Sequence, residues 1–204
     1  FEYEQMLANE NNGYTLEKRY ISKSGKAIPV RVVVRCKRHP DGVIDYVTTM
    51  VEDISERRKN EAEIRQLAFY DSLTGLPNRR HFNSRLRQAL HASANHKRYG
   101  ALLFIDLDNF KNLNDTLGHE KGDGLLVLVA SRLLGCISQS DLVARQGGDE
   151  FVVILEEIGE NTQQAISCCQ QIGERLLEVL CQPYFIDGFE HNTTASIGIT
   201  LFDG

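Results

Sequence analysis

The sequence predicts an α-β sandwich, with helices around an antiparallel sheet, preceded by a smaller β-rich segment and a connecting helix. Three observations lead to this prediction. From residue 71 onward, apolar spacings typical of helices alternate with short apolar runs typical of strands. Before residue 53, the apolar runs are rich in Val, Ile, Tyr and Thr, which favour strands. Between them lies a charged stretch with few apolar positions.

The first 55 residues are predicted to contain three antiparallel strands, at 14–21, 28–36 and 43–51. The pair Asp41-Gly42 between two apolar runs is a strong hairpin signal. Three strands alone form a thin layer with one face still to cover. We therefore interpret this segment as the end of a domain whose beginning lies outside the sequence.

The charged stretch at 56–70 is predicted to be a helix, with Asp53 or Ser55 as its cap. A helix that is polar nearly all round either bridges domains or pairs with a partner helix. The apolar seam is too short for a heptad assignment, so a solvated linker and a dimerising coiled coil stay open as alternatives.

The segment from residue 71 is predicted to follow the order helix, strand, helix, strand, strand, helix, strand, strand. A turn at Gly147-Gly148 joins the middle two strands, and we expect Asp187-Gly188 to join the last two into a hairpin. This order favours a ferredoxin-like α/β sandwich over a doubly wound sheet. The predicted strands span 101–105, 142–144, 151–155, 184–186 and 194–202.

The composition is that of an ordinary globular chain, with 204 residues, 42% hydrophobic residues and a net charge of −5. A mildly acidic chain is a poor candidate for non-specific nucleic-acid binding. Its longest apolar runs fall far below the ~20 residues of a membrane span, so we expect no membrane segment here. Five cysteines without a Cys-x-x-Cys pair argue against disulfides and a zinc site, and favour the cytoplasm. A longer parent chain is still free to carry a membrane tether.

Acidic residues stand at two predicted strand boundaries. Asp106 follows the strand at 101–105, and Asp149 and Glu150 follow Gly147-Gly148. If the two strands are neighbours, Asp106 and Asp149 converge on one edge of the sheet. Two carboxylates with carbonyls and water suit Mg²⁺, which prefers phosphates as its remaining ligands, and two such ions ~4 Å apart support phosphoryl transfer. Taken singly, each of these features favours a structural role.

Residues near these acids suit a nucleotide. Gly147 and Gly148 adopt positive φ without penalty and let a phosphate or nucleoside approach the backbone. Lys111 can reach a phosphate as a point charge. Asn114 and Asp123 flank a predicted loop, where their acceptors match the N1–H and exocyclic amine of guanine.

The string Gly147-Gly148-Asp149-Glu150-Phe151 resembles the signature of the GGDEF family of diguanylate cyclases. Residues 1–55, which close with Glu52-Asp53-Ile54-Ser55, resemble the last strands of a PAS sensory domain. Three further blocks agree with the GGDEF family in the same order, at 71–80, 104–115 and 118–123. The resemblance implies the C-terminal part of a PAS domain at 1–55, a signalling linker helix at 56–70, and a GGDEF domain at 71–204 whose C-terminal end lies outside the sequence.

This resemblance implies a reaction in which two GTP molecules condense into cyclic di-GMP and two pyrophosphates. Each domain of a homodimer would hold one GTP, with Mg²⁺ (or Mn²⁺) as the cofactor. Asp149 or Glu150 would assist deprotonation of the 3′-hydroxyl. The metal ligands implied are Asp106, Asp149 and the carbonyl of Leu107. The substrate-binding residues implied are Asn114 and Asp123 for guanine, and Asn109, Phe110, Lys111, Gly147 and Gly148 for the rest of the nucleotide.

One motif of the family is altered in this sequence. Many family members carry Arg-x-x-Asp as an inhibitory product site, but here Ser138 replaces the arginine before Asp141, so we expect weak or absent product inhibition.

The stretch 106–119 is similar to the variant common in chains that continue into an EAL phosphodiesterase domain. In such a chain, the GGDEF domain would be a catalytically silent GTP-binding module that regulates the phosphodiesterase. A third hypothesis is that the fragment mainly couples a sensor to an output through the helix at 55–70.

Overall fold

The structure is a computed structural model that describes residues 12–203. These divide into two compact units that meet in sequence between Ile64 and Arg65. The predicted domain boundaries at 55 and 70 stay predictions. Residues 1–11 of the predicted first domain, and residue 204 of the last, lie outside the described residues.

The first unit contains a three-stranded antiparallel sheet in the order β1-β2-β3. Val30, Val32 and Val34 alternate along the middle strand and are buried on one face of the sheet. Asp41-Gly42 lies in the turn between the second and third strands, as the sequence predicts. The strands span Gly13–Ile21 (β1), Ala27–Arg38 (β2) and Ile44–Asp53 (β3).

A polar helix, α1, spans Ser55–Phe69. It begins two residues after Asp53, whose side chain accepts a hydrogen bond of 2.8 Å from the backbone N–H of Ser55. None of its residues is buried, and Ile64 and Leu67 are 66% and 68% exposed. The helix is therefore as polar and as open to solvent as its composition predicts.

The second unit is an α-β sandwich around one four-stranded antiparallel sheet in the order β5-β6-β4-β9. Its helices span Arg79–His96 (α2), Phe110–Leu117 (α3), His119–Cys136 (α4) and Thr162–Leu180 (α5). Its strands span Tyr99–Leu107 (β4), Leu142–Gly147 (β5), Glu150–Gly159 (β6), Tyr184–Ile186 (β7), Phe189–His191 (β8) and Ala195–Phe202 (β9). The predicted fold class is confirmed.

The two faces of this sheet are covered unequally. Leu103, Ile105 and Leu107 of β4 pack with buried residues of α3, α4 and α5 in the larger core cluster. The alternate residues of the strands face the other way, where Phe82 and Ala89 of α2 pack in a smaller cluster. The sheet is therefore buried under three helices on one face and only partly covered on the other.

Two predictions about connections are wrong. Asp187-Gly188 does not join β7 to the last strand, because β7 pairs with the short strand β8. The last strand, β9, instead pairs with β4 at the edge of the main sheet. The expected loop at 116–122 is mostly helical, since α3 ends at Leu117 and α4 begins at His119.

Among residues 12–203, no helix combines the length and apolar character needed to cross a membrane.

Candidate functional site

The predicted acidic edge is formed by neighbouring strands. β4 and β6 are antiparallel, and their register pairs Asp106 with Glu150. Asp149 immediately precedes Glu150 in the turn between β5 and β6. On the other side of β4, Asp106 is paired in register with Ser196 of β9. Within residues 12–203, Asp106, Asp149 and Glu150 make no hydrogen bond or ion pair through their side chains.

The pKa of Asp106 reflects the acids around it. Burial raises the pKa of Asp106, and the negative charges of Asp149, Glu150 and Asp108 raise it further. Asp106 therefore lies in negative potential that no cationic side chain among residues 12–203 neutralises through an ion pair.

Asp108 lies two residues after Asp106 but has a different environment. Its carboxylate accepts hydrogen bonds from Thr194 Oγ1 at 2.5 Å and from Ser196 Oγ at 2.8 Å. These two bonds lower the pKa of Asp108 and outweigh its partial burial. Asp108 therefore ties the end of β4 to the start of β9.

The turn at Gly147-Gly148 is stabilised by an arginine, Arg145, that was not predicted from the sequence. Gly148 has φ 52°, a left-handed conformation that glycine adopts without strain. Arg145 donates from Nε at 3.0 Å and from a terminal nitrogen at 2.8 Å to the carbonyl oxygen of Gly148. Its other terminal nitrogen donates to Asp71 Oδ1 at 2.8 Å.

Asp71 completes this support. Its Oδ1 also accepts hydrogen bonds from the backbone N–H and the hydroxyl of Thr74. Burial works to raise the pKa of Asp71, but the bonds from Thr74 and then the charge of Arg145 outweigh it, so the pKa is lowered. The signal was present in the sequence, since Asp71 opens a family block and Arg145 stands two residues before the glycines.

The donor set at the edge fits a hard divalent cation. The edge offers the carboxylates of Asp106 and Asp149 and, next to Asp106 in the chain, the backbone carbonyl of Leu107; oxygen ligands of this kind suit Mg²⁺ or Mn²⁺. Mutual repulsion at Asp106 is the electrostatic feature that a bound cation would relieve. Among residues 12–203, no group of three or more His, Cys, Asp or Glu side chains is arranged to hold a metal alone. Carbonyl and phosphate oxygens would therefore complete the coordination.

The two predicted guanine-reading residues lie on consecutive helices rather than beside a loop. Asn114 belongs to α3 and Asp123 to α4, and only Gly118 separates the helices. A Cβ added to Gly122 would overlap the side chain of Asn114, so Asn114 packs against the backbone directly before Asp123. Asn114 Oδ1 is buried and has no hydrogen-bond partner. A buried acceptor without a partner is costly and matches an N–H donor on a ligand.

The start of α3 has no side-chain cap. Asn109 precedes the helix with φ 59° and makes no side-chain capping bond. The first N–H groups of a helix that lack such a cap point outward at its positive end. Phe110 is buried in the core, while Lys111 is exposed beside it. The structure thus places the predicted phosphate-binding residues on one helix terminus, directly after β4.

A cavity of about 730 Å³ lies over the less covered face of the sheet and reaches the acidic edge. Its floor includes Phe104, whose side chain is 51% exposed. Its wall includes Arg79 and Asn83 of α2. Asp106 and Glu150 also line this cavity.

The family of the chain follows from comparison with known proteins. A family model described as "Diguanylate cyclase, GGDEF domain" matches residues 68–204, two thirds of the chain. The chain therefore belongs to the GGDEF domain family. Residues 12–67 lie outside this match, and the resemblance of residues 1–55 to a PAS domain stays a prediction.

Relatives in Pseudomonas aeruginosa support this assignment. The chain is 37% identical over 178 residues to diguanylate cyclase TpbB of strain UCBPP-PA14, covering 81% of this chain and 40% of that protein. It is 42% identical over 142 residues to the bifunctional diguanylate cyclase/cyclic di-GMP phosphodiesterase MucR, covering 70% of this chain and 20% of that protein. The chain thus spans at most two fifths of the length of these relatives.

A solved structure of the GGDEF domain of TpbB from Pseudomonas aeruginosa shares the fold. It superposes with a TM-score of 0.60 and 42% sequence identity, over 65% of this chain and 75% of that one.

Proposed function

We propose that this chain is a diguanylate cyclase that condenses two GTP molecules into cyclic di-GMP and two pyrophosphates. The observation that carries the proposal is the meeting of Asp106, Asp149 and Glu150 at one end of β4 and β6 without a neutralising cation among the described residues. Mg²⁺ or Mn²⁺ would be held by Asp106, Asp149 and the Leu107 carbonyl. When bound, the cation would neutralise charge on the triphosphate and polarise the reacting phosphorus.

The chain's own groups then position the substrate. Asp149 or Glu150 accepts the proton of the 3′-hydroxyl, whose oxygen forms a bond to the α-phosphorus of the opposite GTP. The bond from that phosphorus to the bridging oxygen breaks, and pyrophosphate leaves. Because phosphoryl transfer needs little covalent help from the protein, placement and charge account for most of the rate.

Specificity for guanine is assigned to the helix pair α3 and α4. Asn114 Oδ1, buried without a partner, would accept a hydrogen bond from an N–H on the guanine edge. The exposed carboxylate of Asp123 would accept from the neighbouring N–H groups. Adenine lacks N1–H and the 2-amino group, so it would leave the buried acceptor unpaired.

The phosphates would lie at the start of α3, on the backbone of Asn109 and Phe110 and beside Lys111, with Gly147 and Gly148 leaving room for the nucleotide. Since the product is two-fold symmetric, two copies of this half-site must face each other, which requires a homodimer. Control by an upstream PAS sensor would act through α1, which would bring two domains together or hold them apart.

Product inhibition is expected to be weak. Asp141 accepts a hydrogen bond from the backbone of Ser138 at 3.2 Å and another from the backbone of Glu156 at 3.1 Å. Ser138 itself supplies no guanidinium to a dinucleotide, and the guanidinium of Arg85, which donates to the Ser140 carbonyl at 3.4 Å, is already paired with Glu156. Titration of cyclic di-GMP into a turnover assay measures this inhibition.

The test of the proposal is incubation of the 204-residue chain with GTP and Mg²⁺, followed by chromatographic identification of the products. We expect cyclic di-GMP and pyrophosphate from the parent and none from Asp149→Ala. Thermal unfolding of both proteins confirms that the variant is folded. Absence of cyclic di-GMP from a folded parent that binds GTP would reject the cyclase and leave the second candidate.

That second candidate is a silent GTP-binding module that regulates a cyclic di-GMP phosphodiesterase of the EAL type. The observation that favours it is that NbdA of Pseudomonas aeruginosa and PdeR of Escherichia coli, 40% and 39% identical to this chain over 141 and 149 residues, are named as cyclic di-GMP phosphodiesterases alone. The two candidates differ in one measurement, because the silent module would bind GTP with the affinity of a substrate site yet release no pyrophosphate.

A further inference from the structure

Three arginines at the start of α2 form a basic cluster that the proposed mechanism does not use. Arg79, Arg80 and Arg87 line a cavity of about 670 Å³ together with polar donors and one aromatic ring; these are Asn83, Ser84 and Phe69. We call these six residues the α2 arginine cluster.

The charges of this cluster are not balanced by the described part of the chain. Arg79 and Arg87 are exposed and make no ion pair or side-chain hydrogen bond within residues 12–203. Nearby, Arg85 is paired with Glu156 at 3.0 Å, and Arg98 with Glu160 at 2.6 Å. Arg80 lies over the ring of Phe69, with its guanidinium carbon 5.1 Å from the ring centroid, and this contact holds it beside the cavity.

The position of the cluster on its helix is electrostatically unfavourable. Arg79 and Arg80 occupy the first turn of α2, and that turn contains no acidic residue. Cations are destabilising at the positive end of a helix, where acids are the favoured residues. Asn78 supplies the cap by accepting from the backbone N–H groups of Arg80 and His81, but its amide adds no negative charge. An anion in the cavity would relieve this repulsion.

The cluster adjoins the acidic edge. Arg79 and Asn83 are four residues apart on one face of α2 and line both the 670 Å³ cavity and the 730 Å³ cavity that contains Asp106 and Glu150. In the 730 Å³ cavity, Gln146 Nε2 is buried and has no hydrogen-bond partner. Arg79 and Asn83 of α2 thus line the same cavity as the carboxylates of Asp106 and Glu150.

We propose that the α2 arginine cluster binds phosphate groups, as a second anion site beside the carboxylate edge. The inference rests on the proposed function for its ligand, a guanine nucleotide or the pyrophosphate released from it. Guanidinium groups match phosphate oxygens in paired hydrogen bonds, with Asn83 and Ser84 as additional donors. Arg79, shared by both cavities, would be the residue that contacts a phosphate nearest the acids.

The decisive measurement is calorimetric titration of pyrophosphate into the 204-residue chain without divalent cations, so that binding through a metal at Asp106 does not contribute. We expect binding that weakens at least about tenfold in the double variant Arg79→Gln/Arg87→Gln, since bonds to charged groups are lost. Arg98→Gln makes a single charge change outside the cluster and is expected to bind within about twofold of the parent. Arg79→Lys is expected to retain part of the affinity because it keeps the charge.

Parallel titrations identify the source of the phosphate. Binding of pyrophosphate and a non-hydrolysable GTP analogue with equal sensitivity to the double variant indicates a polyphosphate site. Sensitivity of cyclic di-GMP binding instead indicates a product phosphodiester site, which also supports the cluster. Pyrophosphate that does not bind the parent, or binds the folded double variant as tightly, overturns the proposal.

These outcomes are separable from failure of the cyclase proposal. Asn114→Ala removes a guanine contact and is expected to leave pyrophosphate binding unchanged. If the chain binds pyrophosphate through the arginines but forms no cyclic di-GMP, the anion-site proposal stands and the cyclase proposal is rejected. If the chain forms cyclic di-GMP but the double variant binds pyrophosphate as tightly as the parent, the cyclase proposal stands and the anion-site proposal is rejected.

Discussion

The two faces of the four-stranded sheet differ in what they contribute. On the face beneath α3, α4 and α5, Leu103 and Ile105 are almost wholly buried, with 0% and 1% exposure. On the face toward α2, the intervening residues of the same strand are Phe104, half exposed, and Asp106. Adjacent residues on one strand thus belong to a dry core and to a charged, accessible surface.

This difference shows how one strand supports both stability and chemistry. The covered face holds β4 in place through apolar packing, so the backbone at its end is fixed. The open face can then carry Asp106, whose pKa is raised by desolvation and, further, by the charges of the neighbouring acids. A neighbouring pair of residues, Ile105 and Asp106, therefore allows the two contributions to be separated by experiment.

The largest expected effect is on turnover. Asp106→Asn removes a metal ligand of the proposed site, and we expect a fall in cyclic di-GMP formation of about a thousandfold. The unfolding free energy should stay equal to the parent's or rise, because one of the repelling charges is gone. Product analysis and denaturant unfolding test both statements, and a variant that is strongly destabilised would contradict the division between the faces.

The next effect is on stability. Ile105→Ala leaves a cavity in the larger core cluster beneath the covering helices, and we expect a loss of about 2–5 kcal/mol in the free energy of unfolding. Urea unfolding measures this loss directly. Retention of the parent's stability would mean that the covered face does not hold the strand. The folded fraction of this variant should keep most of its GTP affinity.

A matched glycine pair on α4 tests the guanine pocket. Gly122→Ala would push its Cβ into Asn114, and we expect weaker GTP binding by about tenfold through displacement of that side chain. Gly124→Ala meets only Ile186 Cγ2 at 3.4 Å, so it should gain up to about 1 kcal/mol of helix stability with GTP affinity unchanged. Equal GTP affinities in the two variants would show that Asn114 does not contribute to GTP binding.

The smallest effect concerns the support behind the glycine turn. The lowered pKa of Asp71 means that its contribution to stability is complete above the unfolded value, about 3.9, and is lost as the pH falls through the lower folded value. At pH 7, Asp71→Asn should reduce the unfolding free energy by about 1–2 kcal/mol. Thermal melts from pH 7 to pH 2 should show the gap between parent and variant closing at the acidic end. A gap that is constant across this range would mean that the ionised carboxylate contributes nothing.

Much of the fold was predictable because strand alternation and helical stripes are local signals. The runs that became β4, β5 and β6 were assigned from their apolar residues alone, as were α2, α4 and α5. The final hairpin was wrong because Asp187-Gly188 is a local turn signal, whereas the pairing of β9 with β4 is a contact between residues about 90 apart in sequence. Similarly, Gly118 ends one helix and opens the next, so a loop-like composition at 116–122 concealed two helices.

The sequence alone determined which residue types suited to a nucleotide and a divalent cation are present, and in what order, since motifs are read along the chain. It also determined that helices cover an antiparallel sheet, because periodicity reports burial. Only the tertiary structure decided that Asp106 lies opposite Glu150, that Arg145 pairs with Asp71, and that Arg79 lines one cavity with Asp106 and Glu150. These depend on strand register and helix placement, which arise from packing between residues distant in sequence and leave no local pattern to read.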